Sequence, residues 1–144
     1  MKKILYFFVA AVLVYGVSQE RGLSVPGIAS SSQYQDNALS DAYNNKQSDV
    51  QVHGKGVVVK IFSDDLDGSR HQKFLLKLET GRTLLVAHNI DLAPRINGLN
   101  RGDEVEFYGE FEWNSKGGVL HWTHRDSGGR HTGGWLKHLG KTYQ

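Results

Sequence analysis

Residues 104–112 read EVEFYGEFE, a regular alternation of apolar and polar side chains. One face of this segment carries Val105, Phe107, Gly109 and Phe111, and the apolar series continues to Trp113. The other face carries Glu104, Glu106, Tyr108, Glu110 and Glu112. A period of two residues predicts a strand that is buried on one face and presents an acidic face to water.

Four further strands are predicted around this one. They cover residues 51–62 (QVHGKGVVVKIF), 71–81 (HQKFLLKLETG), 82–90 (RTLLVAHNI) and 119–124 (VLHWTH). Residues 91–103 connect the third strand to the fourth, and NSKGG at 114–118 is typical of a hairpin loop. Three strands, a connection and a hairpin predict a mostly β chain that folds as a small five-stranded OB-like barrel. The rival SH3-like barrel usually lacks that connection.

The chain begins with a segment typical of export. Lys2 and Lys3 precede an apolar run from Ile4 to Val17, which is too short for a comfortable membrane span and typical of a signal peptide over residues 1–18. An uncleaved anchor is the alternative. We therefore expect an exported protein, periplasmic or secreted, with no membrane attachment after cleavage.

The next segment, residues 19–49, is rich in Ser, Gln and Asn and is predicted to be a polar linker. Within it, Ala38, Leu39, Ala42 and Tyr43 share one helical face, which predicts a short helix near residues 36–46, capped by Asp36. Residues 50–144 then form the barrel domain, which ends in a histidine-rich and glycine-rich segment predicted to add a C-terminal β-hairpin.

The charge of the chain argues against nucleic acid as a partner. There are 17 Lys and Arg against 15 Asp and Glu, and loss of Lys2 and Lys3 with the leader would make these numbers equal. A neutral mature protein has no overall field that attracts phosphates. The chain has no cysteine, which excludes disulfides and a cysteine-linked lipid anchor.

The segment HWTHRDSGGRHTGGWLKH, residues 121–138, predicts a metal site. Gly128-Gly129 is a strong turn signal, and a hairpin closed there would place Asp126 opposite His131 with His124 on the same face. Two histidines and a carboxylate suit a divalent metal such as zinc. The alternative is an Asp126–His131 hydrogen-bonded pair that only stiffens the hairpin.

Side chains from three places are expected to line a ligand groove. The candidate ligand-binding residues are Asp64, Asp65, Asp67, His71, His88, Asn89, Asp91, Arg95 and Trp122. The loops next to the groove of an OB-fold include the one that carries the three aspartates, which could equally be a solvated turn. His88 could be a satisfied buried histidine, Asn89 or Asp91 a cap, and Arg95 the partner of a strand-four glutamate or of an anion. If the chain is an enzyme, His88 and His121 are the candidate catalytic bases.

Three long strings carry a resemblance to a known family. HQKFLLKLETGRTLLVAHNIDLAPR, GEFEWNSKGGVLHWTHRD and GRHTGGWLKHLGKTY resemble the bacterial family called domain of unknown function 3465, over roughly residues 52–143. That resemblance implies no activity and assigns no residue a role. The chain is also faintly similar to staphylococcal-nuclease-type OB domains, but Asp67-Gly68-Ser69 departs from their Asp-Gly-Asp-Thr motif.

Two functions of different classes are compatible with these features. One is an exported OB-like binding module for a small ligand, a saccharide or a protein, and the other is a metal-dependent hydrolase of phosphoesters. Small exported OB domains are more often binders, so the binding module is our prediction, by analogy of fold. The sequence leaves open whether the chain is an enzyme, or whether its clustered histidines respond to pH.

Overall fold

The computed structural model describes residues 31–144, and side chains are described from residue 37 onward. The expected signal peptide and the first part of the predicted linker lie outside the described residues. The elements are α1 (Ser31–Asn44), β1 (Val50–Ile61), β2 (His71–Leu78), β3 (Thr83–Asn89), β4 (Glu104–Glu112), β5 (Val119–His121), β6 (Trp135–His138) and β7 (Lys141–Tyr143).

Strands β1 to β5 close into a ring. Their order is β1-β2-β3-β5-β4, and β4 pairs back onto β1, so every member has two neighbours. Strands β3 and β5 run parallel, and the other pairs in the ring are antiparallel. This confirms the predicted five-stranded OB-like barrel, in which a connection separates the third and fourth strands.

The ring encloses the apolar face of each strand. Its largest fully buried apolar side chains are Phe74, Phe107, Phe111, Leu76, Leu84, Ile96, Leu120 and Leu136. The alternation predicted for β4 is confirmed for Val105, Phe107 and Phe111, but the opposite face is not all wet, because Glu110 is also buried. A segment that crosses the outside of β4 covers that glutamate.

Helix α1 packs against β1 through Leu39 and Ala42, which are both buried. It begins at Ser31, so Asp36 lies inside the helix and does not cap it. Only the part that packs on the barrel has an apolar pattern, which explains why the sequence did not reveal the first turns. The helix ends where Lys46 adopts a left-handed backbone (φ 53°) and the Gln47 N–H donates to the Ala42 carbonyl at 2.8 Å.

The C-terminal hairpin forms, but its turn differs from the predicted one. Strand β6 pairs with the first half of β4, on the edge whose second half pairs with β5, and β7 pairs with β6 around Leu139 and Gly140. Gly128 and Gly129 lie instead in an irregular loop between β5 and β6. In the part of the chain that the structure describes, no helix is both long and apolar enough to cross a membrane.

Candidate functional site

The segment 122–134, called here the β5–β6 loop, folds back on itself. Its two ends meet where the Gly134 N–H donates to the His124 carbonyl at 2.8 Å. Its turn is organised by the Asp126 carboxylate, which accepts the backbone N–H groups of Gly128, Arg130 and His131 at 3.0, 2.8 and 2.8 Å. These three bonds, led by the one from His131, hold the pKa of Asp126 below its usual value. The loop is therefore a fixed cover and delivers His131 to strand β4.

Four side chains meet where the loop contacts β4 and β5, and we call them the Glu–His cluster: Glu110, Glu112, His121 and His131. Glu110 and Glu112 are two residues apart on the outer face of β4, and His121 of β5 is the register partner of Glu110. His121 Nε2 lies 3.5 Å from Glu110 Oε1 and 3.5 Å from Glu112 Oε1. Glu110, Glu112 and His121 offer ligand atoms that all lie within 4.8 Å of one another. Their arrangement can hold a cation.

His131 contacts the other oxygen of Glu110. Its Nε2 bonds to Glu110 Oε2, and its Nδ1 donates to the Thr132 carbonyl at 2.7 Å. Burial lowers the pKa of this imidazole, but the Thr132 carbonyl and the Glu110 carboxylate outweigh that effect and raise it. The ring also stacks on Trp122, with centroids 3.7 Å apart and planes 11° apart. His131 therefore fixes both the carboxylate and the indole.

A small depression, called here the seam pocket, opens beside the cluster where β3 and β5 separate. Its volume is about 210 Å³, and it is lined by His71, Ala87, Asn89, Leu92, His121, Trp122 and His124. The Nδ1 atoms of His71 and His124 each lie 2.8 Å from a backbone carbonyl, that of Ser69 or Arg125. A carbonyl only accepts, so both Nδ1 atoms donate, and in the neutral rings Nε2 is left as an acceptor.

Trp122 has an unusual backbone at the mouth of this pocket. Its φ is +56°, in the left-handed region that bulky residues rarely occupy. Its indole lies between the rings of His131 and His124, the latter at a centroid distance of 5.0 Å. Such strain persists only where the surroundings impose it, and it is concentrated at functional sites. Trp122 thus joins the pocket to the cluster, and its candidate role as a ligand-binding residue fits this position.

His88 lies inside the barrel. Its side chain is fully buried, its Nδ1 accepts the Thr123 hydroxyl hydrogen at 2.7 Å, and its Nε2 donates to the Pro94 carbonyl at 2.9 Å. Burial is the largest influence on its pKa and lowers it. Both nitrogens are engaged, which is the arrangement of a buried histidine with satisfied hydrogen bonds.

The acidic loop between β1 and β2 holds its aspartates in internal contacts. Asp64 receives a two-pronged bond from Arg95, at 2.8 and 3.1 Å. Asp65 forms an isolated bridge with His71 and accepts the Asp67 N–H at 3.1 Å. Asp67 itself is exposed. Arg95, from the connection between β3 and β4, thus pairs with this loop and not with a glutamate of β4, which was one of the two alternatives that the sequence left open.

At the end of β3, two candidates act as turn residues. Asn89 Oδ1 accepts the Asp91 N–H at 2.9 Å, which is the capping alternative. Asp91 accepts the backbone N–H of Arg70 at 2.9 Å and its Nε at 2.7 Å, and these two bonds lower its pKa. Of the candidate ligand-binding residues, His71, Asn89 and Trp122 line the seam pocket, and the others do not.

The structure does not bring the predicted metal ligands His124, Asp126 and His131 into one ligand set. The predicted hairpin is replaced by a loop, and both Asp126 oxygens accept backbone N–H groups. His131 Nε2 is directed at Glu110, and His124 lines the seam pocket. Asp126 does bond to His131, but through the backbone N–H of His131 and within a loop, not as the pair across a hairpin that the alternative interpretation described.

Sequence reasoning missed Glu110 and Glu112 as site residues. The signal was present, because the alternation of β4 places both on one face and a hairpin loop at 113–118 pairs His121 with Glu110. The alternation alone predicts that these glutamates belong to an acidic face exposed to water. What the sequence does not encode locally is the cover that the β5–β6 loop provides.

The strand order of the barrel and the side chains of the Glu–His cluster define the class of this protein. It is an OB-type barrel with an extra C-terminal hairpin and a loop that folds over a cluster of glutamates and histidines. The chain belongs to the family described as "Protein of unknown function (DUF3465)", whose profile matches residues 23–144. This confirms the family membership expected from the three sequence strings. No curated protein matches the chain.

Proposed function

We propose that this protein is an exported binding module that holds a small uncharged polar ligand, such as a saccharide, in the seam pocket. The observation that carries the proposal is the lining of that pocket by two imidazoles whose Nδ1 atoms are tied to backbone carbonyls. Their free Nε2 atoms suit hydroxyl donors, and Trp122 offers an aromatic surface of the kind that binds apolar faces of ligands.

The size of the pocket favours a single small unit. Its volume of about 210 Å³ is below the roughly 300–1,000 Å³ of sites for drug-sized ligands. Two arginines near the pocket are paired with carboxylates, Arg95 with Asp64 and Arg70 with Asp91, which supports an uncharged ligand over nucleic acid. A small concave site also suits a sugar ring better than a protein surface.

Binding is proposed rather than hydrolysis because the two candidate bases are committed elsewhere. Both nitrogens of His88 are hydrogen-bonded inside the barrel. His121 directs its Nε2 at two carboxylates. A hydrolase needs a base within reach of its substrate, but both nitrogens of His88 are bonded inside the barrel and His121 Nε2 is shielded from solvent.

A titration of the full chain with a panel of neutral mono- and disaccharides tests the proposal. Amide chemical shifts should change saturably around residues 71, 89 and 122–124, and His71→Ala should weaken the binding about tenfold or more. The matched control is His53→Ala, because His53 lies on the outer face of β1 beside Tyr108 and Trp135. Shift changes that cluster elsewhere, or equal effects of the two variants, would contradict the proposal.

Export is proposed from the leader alone, since residues 1–18 lie outside the described part of the chain. Expression of the full coding sequence in a bacterium and N-terminal sequencing of the mature protein test it. The expected mature chain begins at Gln19. A protein that retains Met1 in the membrane fraction would support the uncleaved anchor instead.

A further inference from the structure

The outer face of β4 and β5 holds buried polar atoms that the protein itself does not satisfy. Among the residues that the structure describes, the shielded His121 Nε2 has no hydrogen-bond partner, although two carboxylate oxygens lie 3.5 Å away. Gln51, the register partner of Glu110 on β1, likewise has a shielded Nε2 without a partner. Buried polar groups without partners cost free energy, and each one calls for an explanation such as an ion.

We propose that Glu110, Glu112 and His121 bind a divalent first-row transition-metal ion such as Zn²⁺, with His131 as a positioning residue. The site goes beyond the proposed saccharide pocket, from which it is separate except for His121, a residue common to both. One imidazole nitrogen and two carboxylate oxygens form a donor set that Zn²⁺ accepts, and three protein ligands leave a further position open.

Two of the three distances between the donor atoms match the edges of tetrahedral coordination. Bonds of about 2.0–2.2 Å from zinc to nitrogen or oxygen imply ligand–ligand edges of about 3.4 Å. The two edges from His121 Nε2, to Glu110 Oε1 and to Glu112 Oε1, are both 3.5 Å. The third edge, between the two glutamates, is within 4.8 Å, so side-chain rotation can bring all three donors onto one ion.

His131 fixes the orientation of the Glu110 carboxylate. His131 bonds to Oε2 of this carboxylate, which leaves Oε1 directed at His121. His131 is fixed in turn by the Thr132 carbonyl and by the stack on Trp122. Carboxylates that bind metals are themselves held by hydrogen bonds of this kind, and loss of such a partner typically weakens the metal 10–100-fold. His131 thus supports the site without binding the ion.

Calorimetric titration with Zn²⁺ tests the proposal on the full chain, purified without a polyhistidine tag and treated with chelator. We expect one saturable site per chain, and Glu112→Gln should weaken it at least tenfold. Glu112 is half exposed, so this variant should fold. The matched control is Glu106→Gln on the same strand and face, because Glu106 contacts His53 and Lys137 but belongs to no set of three ligands. It should bind Zn²⁺ as the wild type does.

The visible absorption spectrum of bound Co²⁺ distinguishes residues that bind the metal from the residue that only positions a ligand. His121→Gln should alter the spectrum, whereas His131→Gln should keep its shape and reduce only the affinity. Absence of a saturable Zn²⁺ site in the wild type, or equal losses in Glu112→Gln and Glu106→Gln, would overturn the proposal. Saccharide titration of the chelator-treated protein reports on the seam pocket separately, so the failure of one site is not mistaken for failure of the other.

Discussion

Gly134 lies against the carbonyl oxygen of Trp122 so closely that no side chain fits there. A Cβ on Gly134 would lie 2.1 Å from that oxygen and 2.3 Å from the carbonyl oxygen of Tyr108. The two ends of the β5–β6 loop thus meet backbone to backbone on top of β4. This contact fixes where the loop begins and ends, and so where His131 meets the Glu–His cluster.

Gly134→Ala should therefore lower the free energy of unfolding by about 3 kcal/mol, which is the upper end of the usual cost of overpacking. Only backbone atoms lie in the way, and they cannot rotate aside. The measurement is urea unfolding followed by far-ultraviolet circular dichroism. Gly133→Ala is the control, since the nearest atom to its Cβ would be at 3.4 Å, an ordinary contact. Equal stability of the two variants would show that the loop closes differently.

Asp126→Ala should loosen the β5–β6 loop. The variant deletes the acceptor of three backbone N–H groups, so the amides of Gly128, Arg130 and His131 should exchange hydrogen much faster than in the wild type. Hydrogen exchange measured by mass spectrometry or NMR checks this. Amides of β2 provide the internal reference and should exchange as before.

The same variant separates the two candidate ligand sets. If Asp126 is a ligand, as the sequence pattern predicted, Asp126→Ala should weaken Zn²⁺ as much as Glu112→Gln does. If the carboxylate only organises the loop, the loss should not exceed the loss caused by His131→Gln. The structure favours the second result, because neither Asp126 oxygen is free.

Most of the fold is readable in the sequence. The alternation in β4 marks a half-buried strand, and the order of strands, connection and hairpin marks the barrel, since both depend on local pattern. The position of β6 is not readable in this way. Trp135–His138 pairs with β4 over a long sequence separation, and Gly128-Gly129 carries a stronger turn signal than the true turn at Leu139-Gly140.

The site is less readable because its parts meet only through tertiary structure. His121 was identified as a candidate, but its partners Glu110 and Glu112 resemble any solvated strand face. Asp126 looks like a ligand in sequence, yet a carboxylate at a glycine-rich turn is equally suited to accept backbone N–H groups. Which role it takes is decided by the path of the loop.

Gln72→Leu should cost about 3 kcal/mol in the free energy of unfolding. The buried amide of Gln72 donates to the Ile96 carbonyl and accepts the Ile96 N–H, both at 2.9 Å, so the variant leaves two buried backbone groups without partners. Chemical denaturation measures the loss. Gln51→Leu is the control, because the Nε2 of Gln51 has no partner to lose. A similar loss in both variants would argue that apolar packing, not the bonds to Ile96, is responsible.

His88 should make the protein less stable as the pH falls below 6.5. Burial lowers its pKa in the folded state from an ordinary value of 6.5. Below that pH His88 is protonated in the unfolded chain but not in the folded one, which favours unfolding. The free energy of unfolding is therefore highest above pH 6.5 and decreases as the pH falls toward the folded pKa. For one proton, the free energy of unfolding can change by at most about 1.4 kcal/mol per pH unit. His131, whose pKa is raised, acts in the opposite sense, because its contribution is complete below pH 6.5 and is lost as the pH rises.

Comparison with His88→Gln isolates this contribution, since the variant leaves His131 and the other histidines in place. A glutamine can still bond to Thr123 and Pro94 but does not titrate. Urea unfolding at a series of pH values between 7.5 and 5 gives the free energies of both proteins. The difference in free energy of unfolding between wild type and variant should be constant above about pH 6.5. Below that pH the wild type should lose stability relative to the variant, because only the wild type has a buried imidazole at this position. Parallel curves over the whole range would mean that His88 titrates alike in the folded and unfolded chains, and that the barrel interior is open to water.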